Sequence, residues 1–125
     1  MKILLIGLGG FFGAIARFYT TKWTNMLMGD KIPFGTVAVN VIGSFVLGLV
    51  VTLSVEKMVV SEDIKLLTGV GFLGAFTTFS TFSVETVYLV EEGAYIPALA
   101  YVSLNLIVAV FAAFAGILIA RYMVA

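Results

Sequence analysis

The residues with the most chemistry to offer lie in one stretch, Gly71-Phe72-Leu73-Gly74-Ala75-Phe76-Thr77-Thr78-Phe79-Ser80-Thr81-Phe82-Ser83-Val84-Glu85-Thr86. Five hydroxyls, those of Thr77, Thr78, Ser80, Thr81 and Ser83, fall within seven residues and are interleaved with Phe79 and Phe82. Hydroxyls can donate hydrogen bonds to an anion, and the edge of a phenyl ring carries partial positive charge. Such groups attract an anion without a full charge to trap it, and conduction needs binding weak enough to leave. In a helix, Phe76, Phe79 and Phe82 would share one edge, while Thr78, Thr81 and Glu85 line another. Gly69, Gly71 and Gly74 weaken the helix just before the hydroxyls. A break there frees backbone carbonyls, which is tolerated at membrane depth only inside protein or beside a cavity. Freed carbonyls suit a hard cation such as sodium. The plainer alternative is a packing face whose hydroxyls bond back to i−4 carbonyls, which covers one or two of the five easily.

Other polar residues interrupt otherwise apolar stretches. Asn40 shares a face with Ser44 and Gly48 at i+4 and i+8. Its amide either bonds to a neighbouring helix or donates to a passing anion. Tyr101 and Asn105 are four apart, with Ser103 on a different face. Arg17 is either a side chain reaching for the interface or an anchor that attracts anions. Glu85 reads as a helix-end or vestibule carboxylate, or as a proton-coupling acid.

The elements that carry these residues read as membrane spans. Hydrophobic residues make up 62% of the 125 and charged residues 11%, with a mean hydropathy of +1.17. A soluble domain this small cannot bury that much apolar surface. Uncharged runs at Ile32–Val55, Leu66–Val84 and Gly93–Ala120 hold 24, 19 and 28 residues, against about 20 needed to cross the hydrocarbon. With the first stretch they predict four helices, at approximately 3–28, 32–55, 65–90 and 95–121, in one transmembrane domain covering 1–125. Lys2, an apolar core and Ala14-Ile15-Ala16 also imitate a signal peptide. Cleavage there would discard Gly9-x-x-x-Gly13, a packing pattern expected at helix contacts.

Seven basic and seven acidic residues cancel, and no segment forms a basic stripe, so nucleic-acid binding has no support. The lack of His and Cys removes Cys/His zinc sites, iron–sulfur clusters, disulfides and His-based acid–base catalysis. No G-x-x-x-x-G-K-[ST] motif supports nucleotide-driven pumping. Lys2, Lys57, Lys65 and Arg121 lie on the side of the termini, against Lys22, Lys31 and, if it snorkels that way, Arg17 opposite, a weak orientation bias. Either one orientation prevails, or both insert and pair as an antiparallel two-fold dimer.

Three segments together resemble the Fluc/CrcB fluoride channels: Gly9-Gly10-Phe11-Phe12-Gly13-Ala14-Ile15-Ala16-Arg17, Gly35-Thr36-x-x-Val39-Asn40-x-x-Gly43, and Gly71 to Ser83 as written above. The resemblance covers all four spans, and the third-span motif is highly specific. It implies an all-α membrane protein with four helices per subunit and the third broken near its middle. It implies an antiparallel dual-topology homodimer in a bacterial inner membrane, with two fluoride pores and one central structural sodium ion. The sodium would be held by the carbonyls of Gly74 and Thr77 from both subunits. Phe79, Phe82 and Asn40 would line the pore, with Ser80, Thr81 and Ser83 near it, and Arg17 matches the family's first-helix arginine. A fourth-helix polar track would run through Tyr101 and Asn105, and Ala109 departs from it. Export would be passive, driven by the membrane potential. A small multidrug exporter would need a first-helix glutamate, and none precedes Asp30. A non-conducting subunit leaves the Ser/Thr/Phe cluster unexplained, and an enzyme lacks a nucleophile–base pair.

Overall fold

The computed structural model describes residues 1–125, and every regular element is helical. Four stretches are long and apolar enough to cross a membrane. These are α1 (Lys2–Met28), α2 (Phe34–Val55), a third stretch over Glu62–Glu91, and α5 (Tyr95–Met123). The third stretch consists of two helical pieces, α3 (residues 62–76) and α4 (Phe79–Glu91). Between them Thr77 (φ −84°, ψ 157°) and Thr78 (φ −152°, ψ 121°) are extended. The glycine-rich segment before this point stays helical but widens, with π-helix over Lys65–Leu73. A second π segment occupies Leu104–Val108 of α5. Such widenings occur mostly as short insertions within α-helices, often at functional sites.

Local residues explain where the elements begin and end. Gly29 and Gly93 follow α1 and α4 with φ of 86° and 74°, a conformation only glycine takes without penalty. The Ser61 hydroxyl accepts the Ile64 N–H at 3.3 Å and starts α3, as short polar side chains do at N-caps.

Only 21 of the 125 residues are buried, although 62% are hydrophobic. Most of the apolar surface therefore faces outward. That arrangement suits lipid or another apolar surface and not water. Helices in such surroundings gain little from hiding apolar area, so close backbone approach has to hold them together. Glycines supply it here. A Cβ at Gly9 would strike the Leu67 carbonyl and the Phe72 nitrogen, and one at Gly13 would strike the Phe72 carbonyl, so α1 lies directly on the backbone of α3. The extensive α2–α5 contact is built the same way. Gly48 faces the Ala113 carbonyl and Gly116 the Phe45 carbonyl. On the side of the termini, Lys2 pairs with Glu62 at 2.9 Å and Arg121 with Glu56 at 2.8 Å. These pairs are exposed and screened by solvent, so each contributes little to stability.

Candidate functional site

The interruption between α3 and α4 is the centre around which the polar residues gather. An interrupted helix leaves donors and acceptors that hydrocarbon cannot satisfy, so each needs a replacement. Asn40, on α2, supplies two. Its Oδ1 accepts the Thr78 N–H at 2.9 Å, and its Nδ2 donates to the Thr78 carbonyl at 3.1 Å. The second Nδ2 hydrogen goes to Asn105 Oδ1 at 2.8 Å. Asn105 in turn donates from Nδ2 to the Tyr101 carbonyl at 3.0 Å. Gly43, one turn along α2, leaves room for the Thr77 methyl, which a Cβ there would meet.

The hydroxyls divide between two tasks. Thr77 and Ser83 bond back to the carbonyls of Leu73 and Phe79, each at 3.0 Å. Thr78, Ser80 and Thr81 instead form a cluster. The Thr78 hydroxyl accepts the Thr81 N–H at 3.2 Å and so caps α4. It lies 3.1 Å from the Thr81 hydroxyl and 3.3 Å from that of Ser80. Back-bonding thus explains two of the five hydroxyls, and the break explains the rest.

Two cavities flank the interruption, and Thr78 lines both. The smaller, of about 210 Å³, brings together Asn40, Thr77, Phe79, Phe82 and Asn105. The rings of Phe79 and Phe82 are 5.5 Å apart. Phe82 is buried at 7% exposure, whereas Phe79 is 73% exposed and turns off the outside of the chain. The larger, of about 400 Å³, holds Arg17, Thr81 and Glu85 together with Thr21, Asn25 and Thr36. Here the Thr36 hydroxyl donates to Glu85 Oε1 at 2.7 Å. Arg17 does not reach for a helix end; its guanidinium points at the Thr77 carbonyl, 3.4 Å away.

Tyr101, Ser80, Ser83 and Gly74 line neither cavity. Tyr101 is fully buried, packs on Phe82 at 5.5 Å, and its hydroxyl has no hydrogen-bond partner. Gly74 is on the outside of the chain. Two polar cavity residues, Thr21 and Asn25, escaped the sequence reading, and Thr36 entered it only as part of a motif with no role assigned. Their signal was the four-residue spacing. Arg17, Thr21 and Asn25 form one stripe, and Thr36 precedes Asn40 and Ser44 on theirs.

Carbonyls at the interruption have the character a hard cation needs. The usual donor to the Gly74 carbonyl would be the Thr78 N–H, but Asn40 holds that hydrogen. The Thr77 carbonyl accepts only the long bond from Arg17. Both oxygens are therefore under-satisfied.

Four membrane-capable helices, almost no chain outside them, and polar groups converging on a helix break define a class: a small multi-pass membrane protein. Residues 4–117 match the family described as CrcB-like protein, Camphor Resistance (CrcB), and the chain belongs to that family. A relative from Shewanella sediminis is 46% identical over 115 residues, covering 92% of each chain. One from Syntrophotalea carbinolica is 43% identical over 121 residues, 97% of this chain and 98% of the relative. One from Rhizobium etli is 39% identical over 124 residues, 99% of both. All three carry the name fluoride-specific ion channel FluC.

Proposed function

We propose that this protein is a fluoride channel that lets cytoplasmic fluoride leave a bacterial cell passively across the inner membrane. The observation that carries the reading is the smaller cavity, where Asn40, Asn105 and the rings of Phe79 and Phe82 meet beside the break. Both Asn40 amide hydrogens are spent within the chain, so the neutral donors to a small anion there are the ring edges and the Nδ2 hydrogen that Asn105 does not give to the Tyr101 carbonyl. A larger, more polar cavity holding Arg17, Ser/Thr hydroxyls and Glu85 lies on the other side of Thr78 and would serve as the vestibule. Ser80 and Thr81 sit at its boundary through their bonds to Thr78. Ser83 and Tyr101 would act by holding the Phe79–Phe82 segment and not by touching the ion. The driving force is the membrane potential, about 2.3 kcal/mol per charge per 100 mV.

The functional unit in this proposal is an antiparallel homodimer around one sodium ion. Two under-satisfied carbonyls, of Gly74 and Thr77, are too few for a hard cation, and a two-fold copy doubles them to four oxygens. Bound there, sodium would offset the electronegative ends of two broken helices. Gly74 is on the outer surface of the single chain, where a second copy can reach it.

The test is ion efflux from liposomes containing the purified protein. A fluoride electrode reads the flux with a potassium gradient clamped by valinomycin, and chloride serves as the control. Fast fluoride efflux with negligible chloride efflux is expected. A folded protein without fluoride flux overturns the proposal and turns attention to transport coupled to Glu85.

A further inference from the structure

We infer that Asn105 is a positioning residue that fixes the orientation of the Asn40 amide and, through it, the geometry of the Thr77–Thr78 break. An amide can be turned end for end, and its correct sense follows from its partners. Four bonds agree here. The Thr78 N–H requires an acceptor, which makes the nearer Asn40 atom Oδ1. The Thr78 carbonyl requires a donor, which makes the other atom Nδ2. Asn105 spends its Nδ2 on the Tyr101 carbonyl and so presents Oδ1 to Asn40. Turning either amide sets donor against donor and acceptor against acceptor. Thr78 and Asn105 thus demand the same sense of the Asn40 amide, and Asn105 locks it from α5.

The backbone of α5 prepares this role. Where it widens from α to π, the Leu104 N–H is shared between the carbonyls of Ala100 and Tyr101. Asn105 lies in the widened segment, Leu104–Val108, and its side chain adds a further donor to the Tyr101 carbonyl. Asn105 is itself buried, at 6% exposure. Both amides line the smaller cavity, so any ion there meets an Asn40 whose polarity has already been set.

The experiment reads backbone hydrogen exchange at Thr78 by NMR on ¹⁵N-labelled protein in lipid nanodiscs. Asn105→Leu keeps the volume and removes the acceptor; Thr78 exchange should accelerate about tenfold, the effect of roughly one lost hydrogen bond. Exchange in the rest of α1 and α2 should stay unchanged. Asn105→Asp, which burial keeps as the neutral acid, retains an acceptor for Asn40 and an O–H for the Tyr101 carbonyl and should keep Thr78 protected. If Asn105→Leu does not fold, the wild type decides: both Asn40 side-chain amide hydrogens should exchange slowly. Unchanged Thr78 exchange in a folded Asn105→Leu protein, or one fast Asn40 amide hydrogen, overturns the inference. The assignment of flux to this amide rests on the fluoride-channel reading, under which Asn105→Leu also lowers fluoride efflux about tenfold. A wild type with no efflux would sink that reading, while the exchange measurement would still judge the role of Asn105.

Discussion

Glycine-to-alanine substitutions along α1 separate close packing from every other source of stability. Gly7, Gly9, Gly10 and Gly13 sit on one helix within seven residues, yet their surroundings differ sharply. An added Cβ meets nothing within 4 Å at Gly7, and at Gly10 only the Gly71 carbonyl at 3.8 Å, an ordinary contact. At Gly9 it collides with the Leu67 carbonyl and the Phe72 nitrogen, and at Gly13 with the Phe72 carbonyl. These obstacles are backbone, which cannot rotate aside, so α1 must retreat from α3. Overpacking of this kind costs about 1–3 kcal/mol, and the rigid neighbours argue for the upper end. Alanine offsets this by about 1 kcal/mol of helix propensity. Gly9→Ala and Gly13→Ala should therefore each destabilise by about 2 kcal/mol. Gly7→Ala should stabilise by up to about 1 kcal/mol. The 3 kcal/mol spread is roughly a hundredfold in the unfolding equilibrium. Unfolding in mixed detergent micelles would measure it, with the single tryptophan, Trp23 on α1, as the probe. If Gly13→Ala unfolds together with Gly7→Ala, backbone contact with α3 does not hold α1, and the packing argument fails.

Three further outcomes follow from the site. Phe82→Ile and Phe79→Ile should each reduce fluoride efflux about tenfold, because each removes a ring edge from the smaller cavity; thermal unfolding should drop clearly for buried Phe82 and little for exposed Phe79. Thr36→Val removes the donor to Glu85 and should cost about 1–3 kcal/mol in a denaturation assay, more than Glu85→Gln, which keeps an acceptor. Arg121 donates two hydrogen bonds to Glu56 and holds its carboxyl below the usual glutamate range. A depressed folded-state value stabilises above the ordinary range and is lost as pH falls through the folded one, so Glu56→Gln should be slightly less stable than the parent at neutral pH and match it in acid.

Much of this architecture is readable before any coordinates, because membrane spans announce themselves by run length and because the five clustered hydroxyls exceed what back-bonding explains. The exact position of the break is harder to read. Glycines mark weak helix, so composition alone points to Gly69, Gly71 and Gly74 as hosts of the interruption. They remain helical because α1 presses on this stretch and because glycine tolerates the wider π turn. The chain leaves the helix at Thr77 and Thr78, where Thr78 caps the next helix and Asn40 receives its backbone. That choice depends on a partner 38 residues away in sequence, which no local pattern carries. The same holds for Asn105. Its type suggests polarity in the fourth span, but only the fold reveals that its acceptor is spent on Asn40.

The break is also asymmetric in a way that bears on what binds there. Three of its donors are satisfied from within the chain, Thr77 N–H by the Leu73 carbonyl, Thr78 N–H by Asn40, and Thr81 N–H by the Thr78 hydroxyl, while the Phe79 and Ser80 N–H groups in the first turn of α4 are left without such a partner. On the α3 side of the break the groups left over, the Gly74 and Thr77 carbonyls, are acceptors. An under-satisfied acceptor in a low-dielectric medium is costly, and a cation is its natural complement. Arg17 meets the Thr77 carbonyl from one side at 3.4 Å, too long to satisfy it fully. Under the proposed function, sodium would take up the remaining negative potential. The anion path would then run beside the break, where the available groups are an Asn105 amide hydrogen and ring edges, so that one helix interruption serves a cation and an anion through opposite ends of the same backbone dipoles.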